Sequence, residues 1–194
     1  MTVPVGATLS EDGNYYWDGE NWQPVQASSA EGPSGGTTTP VDVYYPVAGM
    51  SQPTDHSCWA TSFAVVINYR DGSSLSPADV SNAVGVDIAA VESWSDVTNP
   101  AEHFGLQESP SACMNVQGWT QMLMSYGPLW ICISNGSHAV VVNGAQGDGT
   151  EDGTIFYVTD PWRGPETMGV NGLNALFEAV GASQPGDGLV IWHQ

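Results

Sequence analysis

A cysteine stands where a turn-rich loop runs into an apolar helix, in the stretch from Gln52 to Thr61. Apolar residues behind Cys58 recur at helical spacing, at positions 59, 63, 66 and 67. Ser57 is predicted to be the N-cap of this helix. A thiol at a helix N-terminus faces unpaired backbone N–H groups and the positive end of the helix dipole, which favour the nucleophilic thiolate. The stretch therefore indicates a reactive cysteine, whereas a lone cysteine in an apolar helix is more often a small buried residue.

Gln52 lies six positions before Cys58. Its side-chain amide can stand beside the thiol, where an oxyanion develops during acyl transfer. A glutamine followed by Cys-Trp-Ala at the start of a helix is what a cysteine peptidase needs on one side of its cleft. Gln52 and Cys58 therefore form the first half of the predicted site.

The chain changes from helical to strand patterns near its middle. Helices are predicted from Cys58, from Pro77 behind the cap Ser76, and over 116–126. Strands are predicted over 129–133, 138–144, 154–159 and 188–192, with a helix at 173–180 between the last two. A helical half carrying the cysteine and a stranded half predict an α+β, two-lobed fold with a cleft between the lobes.

His138 and Asp160 stand at the ends of two of these strands. His138 begins the second strand, and Asp160 directly follows the third. A carboxylate in that position can accept the imidazole N–H, which fixes the tautomer and supports the imidazolium. Cys58, His138 and Asp160 are thus each expected at the end of an element, facing the same gap.

The remaining histidines and cysteines are predicted to have structural or surface roles. His56 lies in the loop near the thiol, where a metal would need further ligands that the sequence does not supply. His103 and His193 are expected to be surface or capping residues. Cys132 lies in an apolar run and should be buried, while Cys113 is expected to be structural or incidental. Three cysteines make no disulfide framework, and no cofactor or metal is predicted.

Four segments together resemble the papain-like cysteine peptidases, especially their compact bacterial branches, which include double-glycine leader peptidases and effector proteases injected by plant pathogens. The segments are Gln52…Cys58-Trp59-Ala60, Tyr126-Gly-Pro-Leu-Trp130, Gly136-Ser137-His138-Ala139-Val140 and Asp160-Pro161-Trp162. The resemblance covers about residues 45–192. Asp160 stands where larger papain relatives have asparagine, and the compact branches also have aspartate at this position.

The resemblance implies a role for each residue of the site. Cys58 would be the nucleophile, His138 the general base and then acid, and Asp160 the residue that orients His138. Gln52 and the backbone N–H of Cys58 would form the oxyanion hole. Attack on a peptide bond would give a thioester, which water resolves in proteolysis and an amine in transpeptidation.

The resulting hypothesis is a cysteine peptidase acting on a protein, as a bacterial effector or toxin. Two alternatives stay open: a glutamine deamidase or transglutaminase-like enzyme on the same triad, and a decayed peptidase that acts as a binding module. An inhibitor or immunity protein is left open as a further partner. The targeted protein is not identified by the sequence.

The charge of the chain excludes some classes of partner. The formal net charge is −19, from 21 acidic residues against two basic ones, Arg70 and Arg163. Such a chain should repel phosphate backbones and anionic membrane surfaces, so neither nucleic acid nor membrane is a predicted partner. The chain has no lysine, which suits delivery into a eukaryotic cytosol with lysine-modifying enzymes, although an acid-biased proteome would give the same composition.

The N-terminal part is predicted to be separate from the peptidase domain at 41–194. Residues 1–26 carry an aromatic β-hairpin pattern with a turn at Asp18-Gly19, and residues 27–40 are small and polar like a flexible linker. Gly35-Gly36 in this linker is a hypothetical self-processing site, although two glycines are also ordinary linker residues. The start of the sequence shows no signal-peptide pattern, so the expectation is a cytoplasmic protein or one exported without a cleavable leader.

Overall fold

The computed structural model describes residues 8–9, 15–17, 22–24, 38–89, 100–109, 114–133, 138–178 and 191–193. The chain divides into two compact units, residues 1–37 and residues 38–194. The hypothetical processing site at Gly35-Gly36, the hairpin turn at Asp18-Gly19 and Cys113 lie outside the described residues. The predicted domain boundaries at 26/27 and 40/41 stay predictions.

The first unit contains a three-stranded antiparallel sheet of β1 (Thr8–Leu9), β2 (Tyr15–Trp17) and β3 (Trp22–Pro24), in that order. Trp17 of β2 pairs with Trp22 of β3, and Leu9 of β1 pairs with Tyr16. The aromatic residues that suggested a hairpin thus lie in β2 and β3, and β1 adds a strand that the sequence pattern did not predict.

The second unit is built on a sheet of seven strands. Six of them run in the order β5-β10-β6-β7-β8-β9, and β4 pairs with the far end of β7. The strands of this sheet are β4 (Val41–Tyr44), β5 (Gln107–Ser109), β6 (Leu129–Ile133), β7 (His138–Gly147), β8 (Thr154–Asp160), β9 (Gly164–Gly169) and β10 (Ile191–His193). All the pairings within it are antiparallel.

Four helices of the second unit are α1 (Cys58–Asp71), α2 (Pro77–Val84), α3 (Val116–Tyr126) and α4 (Val170–Glu178). The predicted starts of α1, α2 and α3 are correct. Ser76 forms a capping box with Asp79, and Asn115 caps α3 by accepting from the Gly118 N–H. The predicted helix at 173–180 begins three residues earlier than expected. The structure describes no helix that is long and apolar enough to cross a membrane.

The central strand β7 is buried on both faces, which explains its continuous β-branched run. Successive side chains of a strand point to opposite faces. Ala139 and Val141 accordingly pack with α1 in one core cluster, and Val140 and Val142 pack with α3 and α4 in the other. This arrangement fixes the start of β7 beside the start of α1.

The first ten residues of α1, from Cys58 to Ile67, are all buried. A helix that is apolar all round belongs inside a protein rather than at its surface. Ser62 adds a directed contact, because its Oγ donates to the Ala139 carbonyl of β7 at 3.0 Å. Cys58, the candidate nucleophile, therefore lies at the start of a deeply buried helix.

Candidate active site

Cys58 is the first residue of α1 and is 7% exposed. The preceding residue, Ser57, is the N-cap as predicted, but its side chain makes no cap hydrogen bond. Its Oγ is engaged elsewhere: it accepts from the Thr54 N–H and donates to the Thr54 carbonyl, both at 2.9 Å. Ser57 thus closes the tight turn that leads the chain into Cys58.

His138 and Asp160 lie side by side at the ends of two neighbouring strands, because antiparallel pairing places the start of β7 beside the end of β8. His138 Nε2 lies 2.9 Å from Asp160 Oδ1, as the sequence pattern predicted. The two side chains are 19% and 6% exposed. The shielded position strengthens their electrostatic interaction.

One oxygen of Asp160 has three hydrogen-bond partners. Besides His138, Oδ1 accepts from the backbone N–H of Trp162 at 2.7 Å and of Arg163 at 3.2 Å. These two bonds belong to the turn between β8 and β9, and they hold the carboxylate in a fixed position. The Asp-Pro turn therefore does more than end the strand, since it also aims the carboxylate at the imidazole.

His138 connects Asp160 to Cys58. Its Nε2 faces Asp160, and Cys58 is close enough to raise the pKa of the imidazole, so Nδ1 is the ring nitrogen left for the thiol. Burial lowers the pKa of His138, but the hydrogen bonds to Cys58 and Asp160 and the charges of these groups outweigh burial and raise the pKa above its ordinary value. The surroundings of His138 therefore favour the imidazolium.

Gln52 is hydrogen-bonded both to the residue that follows Asp160 and to the turn that precedes Cys58. Its backbone N–H donates to the Pro161 carbonyl at 3.0 Å, next to Asp160. Its side-chain Nε2 donates to the Thr54 carbonyl at 2.8 Å, the same oxygen that accepts from Ser57 Oγ. These bonds orient the Gln52 amide, and the second Nε2 hydrogen remains for another acceptor. Its Oε1 is buried without a hydrogen-bond partner.

The other histidines occupy different surroundings. His56 and His103 are exposed. His193 is only 4% exposed and stacks on Tyr126 with ring centroids 3.7 Å apart, so the expected surface role was wrong. Its strand, β10, lies between β5 and β6, which draws this segment of the chain into the sheet. Cys132 is buried as predicted. Among the described residues, no cluster of three or more His, Cys, Asp or Glu is arranged to hold a metal.

Comparison with known protein families decides the enzyme class. A family model described as the papain-like cysteine protease AvrRpt2 matches residues 39–178, well over half of the chain. The chain belongs to this family. The predicted family and the predicted class of enzyme, a papain-like cysteine peptidase, are thereby confirmed.

Solved structures confirm the predicted α+β, papain-like fold of this cysteine peptidase. A double-glycine motif protease from an AMS/PCAT transporter shares it with a TM-score of 0.53 and 21% identity, over 79% of this chain and 95% of that one. A C39-like peptidase from Bacillus anthracis gives a TM-score of 0.54 and 12% identity, over 79% and 97% of the two chains. A search of curated proteins finds no significant match.

The stability of this papain-like peptidase should depend on pH through His138. Because the folded pKa lies above the unfolded value of about 6.5, the stabilisation is fully present below about pH 6.5 and is lost as pH rises through the folded pKa. We expect the difference in free energy of unfolding between the wild type and His138→Gln to shrink over that range. Urea denaturation at a series of pH values measures it, and a difference independent of pH would contradict the hydrogen-bonded imidazolium.

Proposed function

We propose that the protein hydrolyses peptide bonds of a polypeptide substrate through Cys58, His138 and Asp160. The observation that carries the proposal is the position of His138, whose Nε2 lies 2.9 Å from Asp160 Oδ1 and whose imidazole is close enough to Cys58 for that residue to raise its pKa. A nucleophile, a base within hydrogen-bond reach and a third group that orients the base are the parts that covalent acyl transfer needs. Membership of the papain-like cysteine protease family supports the same reaction.

In the first half of the reaction, His138 takes the proton of the Cys58 thiol, and the Cys58 thiolate attacks the scissile carbonyl carbon and forms a C–S bond. The carbonyl oxygen becomes an oxyanion, towards which we assign the Gln52 side-chain amide and the Cys58 backbone N–H. The C–N bond then breaks, and His138 gives its proton to the departing amine. The acyl group remains on Cys58 as a thioester.

In the second half, His138 takes a proton from water, and the resulting hydroxide attacks the thioester carbon. The C–S bond breaks, the carboxylic acid leaves, and the thiolate–imidazolium pair forms again. Asp160 accepts a hydrogen bond from Nε2 throughout, so that Nδ1 keeps facing Cys58. The raised pKa of His138 suits this cycle, because the imidazolium is present when the leaving amine needs a proton.

Incubation with a proteome-derived peptide library, followed by mass spectrometry, tests this proposal. Hydrolysis predicts new peptide termini, whereas a glutamine deamidase would change peptide masses without cutting, and a binding module would leave the library unchanged. The double-glycine motif protease that shares the fold was solved with a leader peptide bound. That complex supports a polypeptide as the class of substrate, and new termini that depend on Cys58 are the expected result.

Asp160→Asn should keep turnover within about tenfold of the wild type, whereas Asp160→Ala should lower it by about 10²- to 10⁴-fold. An asparagine Oδ1 can still accept from His138 and from the backbone N–H groups of Trp162 and Arg163. Alanine leaves the imidazole without its orienting partner and two N–H groups without an acceptor. Turnover of a library peptide measures the effect, and equal losses in both variants would show that the charge, not the position, of Asp160 matters.

We further propose that the protein is an effector or toxin that acts inside a cell other than the one that makes it. The absence of lysine supports this, since a lysine-free protein presents no side-chain acceptor for lysine-directed modification. A variant with lysine at several exposed positions should be lost faster than the wild type in a eukaryotic cell extract. Equal lifetimes of the two proteins would remove this support.

A further inference from the structure

A pocket of about 60 Å³ lies beside His138 and Asp160, between the sheet and α4. Its apolar lining comes from both layers: Val140, Val158, Met168, Leu173 and Leu176. The first two and Leu173 are buried and form the floor, while Met168 and Leu176 are partly exposed. His138 and Asp160 also line it, so the pocket adjoins the proposed catalytic groups.

The pocket lies on the face of the sheet opposite to the body of α1. His138 and Val140 are two residues apart on β7, as are Asp160 and Val158 on β8, so each pair shares a face. Val140 and Val158 belong to the core cluster that contains α4, whereas Cys58 belongs to the other cluster. The pocket therefore flanks the imidazole on its far side rather than duplicating the position of the thiol.

The volume and lining of the pocket select its occupant. One water needs about 10–15 Å³ of such volume, so about 60 Å³ holds a group of roughly four heavy atoms. Five of the nine lining residues are apolar, and this part of the pocket offers water few polar partners but gains free energy from covering a leucine, isoleucine, valine or methionine side chain. A buried aliphatic side chain fits this pocket better than a polar one.

Arg163 adds a charge at the rim. It is 71% exposed, and its ion pair with Glu166 is long at 3.9 Å. Arg70, the other basic residue of the chain, is bound by Asp71 at 2.7 and 2.9 Å and by the Phe104 carbonyl. In a chain of net charge −19, the weakly held positive group thus stands beside the proposed catalytic residues.

The local charge matters more than the net charge at this distance. At physiological ionic strength, exposed charges more than about 8 Å apart are largely screened from one another. Asp160 and Glu166 also line the pocket, and Arg163 is the lining residue whose planar guanidinium suits two parallel hydrogen bonds to a substrate carboxylate. The long pair with Glu166 is weak enough to be exchanged for a substrate group.

We infer that this pocket, here called the aliphatic subsite, binds an aliphatic side chain of the substrate close to the cleaved bond, while Arg163 binds a carboxylate on an adjacent substrate residue. The inference rests on the proposed peptidase function and adds the sequence class of its substrate. The aliphatic residue and its acidic neighbour occupy fixed positions relative to the bond that Cys58 attacks.

Cleavage of a proteome-derived peptide library by matched variants tests the inference. Leu176→Trp fills the aliphatic subsite, and Leu176→Phe does so with less bulk if tryptophan disturbs folding. Arg163→Gln removes the rim charge. Met124→Trp, at a 66% exposed position on α3, and Arg70→Gln are the controls for added bulk and lost charge. Alkylation of Cys58 in each protein checks that the catalytic groups are still assembled.

The wild type and both controls should cut next to an aliphatic residue with an acidic neighbour, at fixed positions. Leu176→Trp or Leu176→Phe should lower the aliphatic preference by about tenfold, and Arg163→Gln should remove the acidic preference. If Arg163→Gln and a folded Leu176 variant keep the wild-type preferences, or if the wild type shows none, the inference is wrong while the peptidase function stands. If the wild type cuts no peptide, the proposed function fails and the inference falls with it.

Discussion

Cys58→Ser is expected to abolish peptide cleavage, with a loss of turnover of about 10⁴-fold or more. The replacement keeps nearly the same shape at a position that is 7% exposed, so the fold should survive. It exchanges a thiol for a hydroxyl, which is far less acidic and a much weaker nucleophile at neutral pH. Initial rates on a cleaved library peptide, together with the thermal unfolding midpoint, measure the effect.

Cys132→Ser is the matched control for this substitution. Cys132 is also buried, at 4% exposure, but it lies on β6 and not at the start of α1. A hydroxyl there should lower the unfolding midpoint and leave turnover per folded molecule within about threefold. Comparable turnover in the two variants, or more than about one per cent residual turnover in Cys58→Ser, would exclude Cys58 as the nucleophile.

His138→Gln is expected to lower turnover by about 10⁴-fold, close to the loss caused by removing the nucleophile. Glutamine fills much of the imidazole volume and can donate a hydrogen bond to Asp160. The start of β7 and the end of β8 should therefore keep their structure. It cannot take a proton from Cys58 or give one to the leaving amine, because an amide does not titrate near neutral pH.

The control for this variant is His103→Gln, on the short helical segment at 100–103, where the histidine is exposed. It should leave turnover unchanged, since His103 is not one of the proposed catalytic residues. Rates with saturating peptide separate the chemical step from binding. A turnover of His138→Gln within tenfold of the wild type would show that another residue is the general base.

The main parts of the site were predictable because each lies at the end of an element with a clear pattern. Apolar spacing after Cys58 marks a helix start, and the β-branched run after His138 marks a strand start. Asp160 ends the next strand, and antiparallel pairing brings it to His138 without any information from distant parts of the chain. Local pattern and topology therefore suffice for this pairing.

Features set by tertiary contacts were not predictable in the same way. Ser57 has the right residue type for an N-cap, but the tight turn to Thr54 uses its hydroxyl instead. Strand β9 carries glycine and proline and no alternating pattern, and it forms because β8 supplies an edge with which it pairs. The aliphatic subsite depends on how α4 packs over the sheet, which periodicity does not specify.

The measurement that tests the central claim most directly is alkylation by iodoacetamide near neutral pH, read by intact mass and peptide mapping. The account predicts fast labelling confined to Cys58 in the wild type and a large loss of that rate in His138→Gln, because the raised pKa of His138 favours an imidazolium next to the thiol. Slow labelling of Cys58, or a rate that is the same in the variant, would contradict an activated cysteine and with it the proposed peptidase mechanism.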